Sequence, residues 1–432
     1  MSIHCAQPHP IAIGSPINRV SSVTFTLRGD DIALKQVNNN IYNTSGMQPS
    51  GVRGLAIHLH WHDQTVGHLL LFFSFCSHIV PHVVVVGAGV IGLSVATHIS
   101  EHFKGRIRVT VVAEQTSPNT CSDKAGSVII PIDFASDSPT PGQDERVRRW
   151  TRETFRYLHA LYQSEAASEI ELCLMTGYDY RRSPCPDPWW KDLVLGFRCV
   201  DPDSTEAHLL HFSPTYRTIW AFTTYMLDCR KYLPWLLKRF KENGGICEMR
   251  KVGNLRELSS YNIVINCTGM GARTLLGDKS LIPVRGQGVL VRAPWVKHFI
   301  INYTDRDEIT YVLPRAENIL LGGTAEAESW DQTPDPETAR QIRQRCEAQI
   351  PSLKDAEVID GWAGLRPVRE SVRLEVDQPG GVDGPVVLHC YGHGGEGVVL
   401  HWGCALEVGR ILEQYIRTER ENLYPLSPRS NL

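Results

Sequence analysis

The sequence lacks the features that mark membrane-spanning or nucleic-acid-binding proteins. Its 44 basic and 47 acidic residues almost cancel, leaving a formal net charge of -3, and this balance argues against nucleic acid or an anionic membrane as a partner. The most apolar run, Leu69–Val80, is shorter than the roughly 20 residues that span a bilayer. We therefore expect no membrane span.

Paired cysteines are also absent. Twelve cysteines are scattered along the chain without a C-x-x-C pair, so we expect neither a structural zinc site nor thioredoxin-type redox chemistry. No secretory signal follows Met1, which favours reduced thiols in a reducing compartment. The alternating His58, His60 and His62 would need a strand to align them and have no evident fourth ligand, so we predict no metal.

The feature that organises the chain is the stretch His82–Ile99. Val83–Val86 is a short β-branched run typical of a buried parallel strand. Gly87, Gly89 and Gly92 follow in G-x-G-x-x-G spacing, and apolar residues at helical intervals come next. In this motif the glycines allow the tight turn, the approach of a pyrophosphate and close packing of helix on strand. The helix start then offers free N–H groups to the phosphates.

A second strand supports the same interpretation. Arg108–Ala113 (RVTVVA) ends at Glu114, roughly 20 residues past the glycines, where the dinucleotide fingerprint places a carboxylate for the adenosine ribose. The loop Cys121–Pro131 adds Ser122 and backbone N–H groups nearby. The sequence therefore predicts a dinucleotide site.

A second glycine-rich turn lies far along the chain. Tyr391–Gly397 (YGHGGEG) runs into a predicted helix, Val399–Leu412, and again presents backbone N–H groups and a helix dipole to an electron-rich group. Two such turns favour a flavin dinucleotide held in extended form, since a nicotinamide enzyme would need only one.

Other segments have the periodicity of regular elements. We predict helices over Asp144–Leu161, Tyr232–Asn243 and Ala339–Ile350, strands over Tyr261–Gly269 and Pro283–Val291, and a hairpin over Ile309–Gly323. Residues 1–80 are different, because Ser2–Arg53 is polar with little periodicity. We expect them to form an atypical, poorly ordered N-terminal extension.

Nine motifs together resemble the D-amino-acid oxidase family from Val83 to Leu432. In chain order they are VVVVGAGVIGLS, DPWWKDLVLGFR, YLPWL, IVINCTG, PVRGQ, APWVKHFI, LLGGT, GLRPVR and YGHGGEGVVLHWGCALE. Further stretches, RETF, AFTT, KYLPWLLKR, GDKSLIPVRGQ and the final SNL, resemble the D-aspartate oxidase branch of that family.

The resemblance implies an FAD enzyme that oxidises the Cα–N bond of D-amino acids with O₂, giving a 2-oxo acid, ammonia and hydrogen peroxide. Hydride would leave Cα for the flavin, so no acid or base pair is required. It also implies an α/β fold (α+β overall), in which a Rossmann-like FAD-binding domain with a parallel sheet joins an antiparallel-sheet substrate domain. We predict the first from 81–148, 220–284 and 365–432, and the second from 149–219 and 285–364.

The resemblance assigns roles to individual residues. Arg366 matches the carboxylate-binding arginine, whose planar guanidinium can grip a carboxylate with two hydrogen bonds. Tyr311 matches the tyrosine that supports the same carboxylate, and Gly395 matches the position whose backbone faces the amine. The cofactor-binding matches are Gly87, Gly89, Gly92, Glu114, Gln115, Cys121, Ser122, Val128, Gly394, Gly395, Glu396, Gly397 and Val398.

Two departures bear on the substrate. D-Aspartate oxidases carry arginines where this chain has Ala325 and Ile301, and Arg306 is the candidate substitute. Asp307 occupies the place of a second active-site tyrosine of neutral D-amino-acid oxidases. A desolvated second carboxylate needs a cationic partner. We therefore expect a preference for D-aspartate and other acidic D-amino acids, with a neutral D-amino-acid oxidase, a non-catalytic flavin-binding protein or an NAD-dependent dehydrogenase as alternatives.

The chain ends in Ser430, Asn431 and Leu432, a variant of the S-K-L peroxisomal address. We expect a peroxisomal import receptor as partner and the peroxisomal matrix as location, which suits a reaction that produces peroxide.

Overall fold

The computed structural model describes residues 25–28, 31–34, 80–131, 143–210, 215–305, 308–377 and 385–423. The chain divides into two compact units, residues 1–79 and 80–432. In the first, strands β1 (Phe25–Arg28) and β2 (Asp31–Leu34) pair antiparallel. The histidines His58, His60 and His62 and most of the apolar run that follows them lie outside the described residues.

The second unit contains both strands and helices. In chain order they are β3 (His82–Val86), α1 (Val90–His102), β4 (Arg108–Ala113), α2 (Gln143–Tyr162), α3 (Ala166–Glu169), β5 (Cys173–Arg181), β6 (Leu195–Cys199), α4 (Thr205–Leu209), β7 (Thr218–Met226), α5 (Cys229–Glu242), β8 (Ile246–Met249), β9 (Ile263–Asn266), α6 (Gly271–Leu275), β10 (Ile282–Arg292), β11 (Phe299–Asp305), β12 (Glu308–Pro314), β13 (Ile319–Gly322), β14 (Glu326–Ala327), α7 (Pro336–Gln349), β15 (Glu357–Asp377), β16 (Val386–His393) and α8 (Gly397–Leu423).

Five strands of one large sheet run parallel, in the order β16-β9-β3-β4-β8. The valines of β3 are buried on both faces, as a parallel strand between two layers requires. Val83 and Val85 pack with α1, α2, α5 and α8, and Val84 and Val86 pack on the other face around Leu258. This is the Rossmann-like half of the fold.

The sheet continues without a break into a mostly antiparallel half, in the order β6-β7-β5-β11-β12-β13-β10-β15, with β14 beside β10. Strand β15 joins the halves because it pairs antiparallel with both β10 and β16. Only β5 and β11 run parallel here. A second apolar cluster, which includes Ile300, Val312 and Ile342, packs α7 against this half.

These observations confirm the predicted fold class and most of the predicted elements. The predicted strand Arg108–Ala113 is reproduced to the residue by β4, and the predicted hairpin is β12 and β13. The helix after the second glycine turn is longer than predicted, since α8 continues to Leu423. The division into a cofactor domain and a substrate domain stays a prediction. Among the described residues, no helix combines the length and apolarity needed to cross a bilayer.

Candidate active site

The first glycine-rich turn is held against the carboxyl end of β9. Gly87 has a φ of +112°, a left-handed conformation, and a Cβ there would lie 2.4 Å from the Cys267 carbonyl oxygen. A Cβ on Gly92 would lie 2.0 Å from the Gly87 carbonyl oxygen. Both positions therefore require glycine, one for the turn and one for the close packing of α1 on β3.

The start of α1 suits an anionic ligand. Gly89 is its N-cap, and the first turn contains no acidic residue, so the first-turn N–H groups that lack an intrahelical acceptor and the positive end of the helix dipole suit a pyrophosphate. The Val90 N–H donates to Ser122 Oγ at 3.0 Å. Ser122 thus lies against the turn, and a Cβ on Gly89 would approach Ser122 Oγ to 3.2 Å.

The predicted ribose-binding residues follow β4. Glu114 is about half exposed and forms an ion pair with Lys251 at 3.2 Å, while Gln115 is exposed. Because an exposed ion pair of this kind contributes little stability, the Glu114 carboxylate can exchange it for ribose hydroxyls at small cost. The adjacent β3 ends at Val86, one residue before Gly87, so these residues lie beside the glycine turn.

The second glycine turn lies beside the first. Gly394 has a φ of +55° and donates its N–H to the Pro367 carbonyl oxygen at 2.9 Å. Gly397 begins α8, and a Cβ there would lie 3.8 Å from Val90 Cγ1 in the first turn of α1. Two helix N-termini separated by about 300 residues in the sequence therefore converge. Gly395 is exposed, and Glu396 and Val398 are partly buried in the same turn.

The structure brings together Arg366 and Tyr311, the two residues predicted to bind the substrate carboxylate. The Arg366 guanidinium donates through Nη1 to the Thr324 carbonyl oxygen at 3.0 Å and hydrogen bonds to the Tyr311 hydroxyl. Burial raises the pKa of Tyr311, and the charge of Arg366 offsets part of this rise. The phenol is therefore neutral at physiological pH and keeps its own proton available to an acceptor.

Two glycines make room for this pair. A Cβ on Gly286 of β10 would lie 2.4 Å from Arg366 Nη1, and a Cβ on Gly322 of β13 would lie 2.1 Å from the Tyr311 ring. Gly322 is directly opposite Tyr311 in the sheet. The glycines of PVRGQG and LLGG thus seat the arginine and the tyrosine, a role that the sequence analysis did not assign to them.

One short turn connects the cofactor side to the substrate side. In the 3₁₀ turn Cys121–Lys124, the Cys121 thiol donates to the Leu365 carbonyl oxygen at 3.1 Å, and Lys124 Nζ donates to the Ala363 carbonyl oxygen at 2.6 Å. These contacts tie Ser122 to the strand that carries Arg366. The sequence analysis did not identify Lys124 as a residue that makes this connection, although it lies two residues after Ser122.

The remaining predicted residues are placed as follows. Val128 forms an isolated antiparallel bridge with Met226, at the end of β7. Ile301 is buried and opposite Tyr311 in the β11–β12 pairing. Ala325 is exposed next to Thr324, the residue that accepts from Arg366. Arg306 and Asp307 lie outside the described residues.

Comparison with known proteins agrees with this geometry. A family model described as "DAO: FAD dependent oxidoreductase" matches residues 82–411. The chain is 41% identical to D-aspartate oxidase of Homo sapiens over 355 residues, which cover 81% of this chain and 98% of that protein. It is 37% identical to D-amino-acid oxidase of Rubrobacter xylanophilus, over 77% of this chain and 96% of that protein.

Solved structures show the same fold at low identity. Glycine oxidase from Bacillus cereus superposes with a TM-score of 0.60 at 19% identity, covering 78% of this chain and 95% of that one. The family match confirms FAD as the cofactor, and the two glycine turns and the first turn of α1, which contains no acidic residue, fit its pyrophosphate. The match to an FAD-dependent family argues against the alternative of an NAD-dependent dehydrogenase.

Proposed function

Since the chain belongs to the family of FAD-dependent oxidoreductases, we propose that it oxidises D-amino acids and prefers D-aspartate and other acidic D-amino acids. The products would be the 2-oxo acid, ammonia and hydrogen peroxide. The curated relatives named above, a D-aspartate oxidase and a D-amino-acid oxidase, support this assignment at 41% and 37% identity.

The observation that carries the proposal is the contact between Arg366 and Tyr311. A guanidinium can hold a carboxylate through two parallel N–H donors, which fixes the rotation of the substrate about its Cα–carboxyl axis. The neutral Tyr311 hydroxyl can donate to the same carboxylate. Together they select which face of Cα is presented to the cofactor, and this is how one enantiomer is preferred.

FAD, when bound, would supply the two-electron acceptor. The residues that would hold it are the glycine turn at Gly87–Gly92, Ser122, Glu114 and the second turn at Gly394–Val398. The protein's contribution is then to bind, orient and exclude water, and no side chain is required to act as an acid or a base. Gly395, exposed in the second turn, is proposed to face the substrate amine.

The acidic preference needs a cation for the second carboxylate, and we propose Arg306. A neutral D-amino-acid preference is the second candidate. It is favoured by the apolar Ile301 opposite Tyr311 and by Ala325 beside Thr324, neither of which could pair with a carboxylate.

The test is peroxide production by the purified protein with D-aspartate, D-alanine and L-aspartate in parallel. A D-aspartate preference that is lost in Arg306→Gln, and kept in the matched variant Arg292→Gln, supports Arg306. Arg292 is a suitable control because it forms an exposed ion pair with Glu357. A D-alanine preference would establish a neutral D-amino-acid oxidase. A flavin-containing protein that produces no peroxide with either D-aspartate or D-alanine would indicate a non-catalytic role.

We further propose that the protein is imported into the peroxisomal matrix through Ser430, Asn431 and Leu432. Import would confine the peroxide to a compartment that degrades it. The test is the distribution of a fluorescent N-terminal fusion in cells, with and without these three residues. A diffuse signal from the intact fusion would refute the assignment.

A further inference from the structure

Three potential metal ligands converge beneath the second glycine turn. They are Cys390 and His393 at the end of β16 and Cys404 on the facing side of α8, and their ligand atoms all lie within 4.8 Å of one another. Cys404 Sγ and His393 Nε2 are 3.5 Å apart. All three residues are buried, with exposed fractions of 0%, 6% and 0%.

A further sulfur borders this cluster. Strands β9 and β16 pair parallel, and their last register pair is Asn266 with His389. Cys267 and Cys390 are the residues that follow this pair on the two strands, and they are therefore neighbours. Their thiols are hydrogen bonded. Cys267 Sγ does not lie within 4.8 Å of all three ligand atoms, so it neighbours the cluster without belonging to it.

The spacing suits a tetrahedral ion. With Zn–S of about 2.3 Å and Zn–N of about 2.0 Å, sulfur and nitrogen ligands of one ion are about 3.6 Å apart and two sulfurs about 3.8 Å apart. The 3.5 Å between Cys404 Sγ and His393 Nε2 agrees with the first value. Thiolate and imidazole ligands select soft or borderline metals, of which zinc is the one most often bound by cysteine and histidine in tetrahedral sites.

The carboxylate nearest along the helix is already engaged. Glu407, one turn after Cys404, accepts from Trp150 Nε1 and Arg146. It is therefore paired within the interface of α2 and α8 and is not available as a ligand. The ligand set is restricted to sulfur and nitrogen.

We propose that Cys390, His393 and Cys404 bind a Zn²⁺ ion. The ion would link the carboxyl end of β16 to α8. This role is independent of the substrate and of the redox reaction.

The first experiment measures the zinc content of the reduced holoenzyme by elemental mass spectrometry, after loosely bound metal has been removed with a weak chelator. We expect about one Zn²⁺ per chain. The variants Cys390→Ala and Cys404→Ala should lose it, while Cys229→Ala, which removes an equally buried cysteine at the start of α5, should keep it. Flavin content and circular dichroism show whether each variant is folded. Equal zinc in Cys404→Ala and Cys229→Ala would overturn the proposal.

A second experiment needs no variant. Metal-free wild-type holoenzyme is titrated with Cd²⁺, and the ultraviolet thiolate-to-metal absorption is followed. We expect the absorption to saturate at about one equivalent and the thermal midpoint to rise with it. The absence of this absorption would overturn the proposal even if the variants fail to fold. So would a Cys390–Cys404 disulfide in unreduced peptides from freshly purified protein. Neither outcome would bear on the proposed oxidase activity.

Discussion

The substitution Arg366→Lys tests the proposed substrate contact most directly. In the structure the guanidinium donates to the Thr324 carbonyl oxygen and hydrogen bonds to Tyr311, and its other N–H groups are the donors proposed to hold the substrate carboxylate. A lysine retains the charge, but its ammonium cannot present two parallel donors in one plane. The substitution should therefore reduce activity because the substrate carboxylate is no longer held in a fixed orientation, and not because a charge is lost.

The expected magnitude follows from the lost bond. A hydrogen bond to a charged group contributes about 1.5–3 kcal/mol, and each 1.4 kcal/mol is about tenfold. The kcat/KM for a D-amino acid should then fall by roughly 10- to 150-fold. We expect both a higher KM and a lower kcat, since the same contact binds the substrate and orients Cα.

The assay is steady-state peroxide formation, with flavin content measured on the same samples. The control is Arg292→Lys, whose side chain lies in an exposed ion pair with Glu357 and should leave both quantities unchanged. If Arg366→Lys retained its flavin and kept kcat/KM within about threefold of wild type, the carboxylate-binding role of Arg366 would be refuted. Loss of flavin in Arg366→Lys alone would mean that the residue supports the cofactor domain instead.

Three further predictions concern the cofactor and stability. Gly92→Ala should abolish flavin retention during gel filtration, because its Cβ would lie 2.0 Å from the Gly87 carbonyl oxygen, whereas Gly361→Ala, with its nearest neighbour 3.8 Å away, should keep the flavin. Burial lowers the pKa of His401 from 6.5 to about 4, so the folded protein holds it neutral and the unfolded chain binds the proton more readily. The thermal midpoint should thus fall as pH drops from 6.5 towards 4, less steeply in His401→Gln, and equal slopes would contradict this. Removal of residues 1–79, a separate compact unit, should leave a folded flavoprotein, and a colourless truncated protein would show that this unit supports the cofactor site.

The cofactor half of the fold could be predicted because its signals are local. The strand β3, the glycines of the turn and the first turns of α1 occupy one continuous stretch, and each constrains its neighbours through backbone conformation and period. The same holds for β4 and Glu114. Such signals need no knowledge of distant contacts.

The cysteine and histidine cluster shows the limit of such reasoning. The absence of C-x-x-C pairs predicts no metal site, but Cys390 and His393 are separated by two residues, and this C-x-x-H spacing was the available signal. Cys404 reaches the cluster only because α8 packs over β16. The periodicity of residues along the chain does not predict this kind of long-range packing.

The sequence by itself determined the Rossmann-like unit and the FAD cofactor, and it predicted which arginine binds the substrate carboxylate, since these depend on motifs read within one segment or on resemblance to a family. Only the tertiary structure decided how the two glycine turns meet and how Arg366 reaches Tyr311. Those contacts join segments far apart in the chain through sheet register, in which Gly286 and Gly322 leave the necessary space. Register is selected by the packing of both sheet faces at once, and therefore no single stretch of residues specifies it.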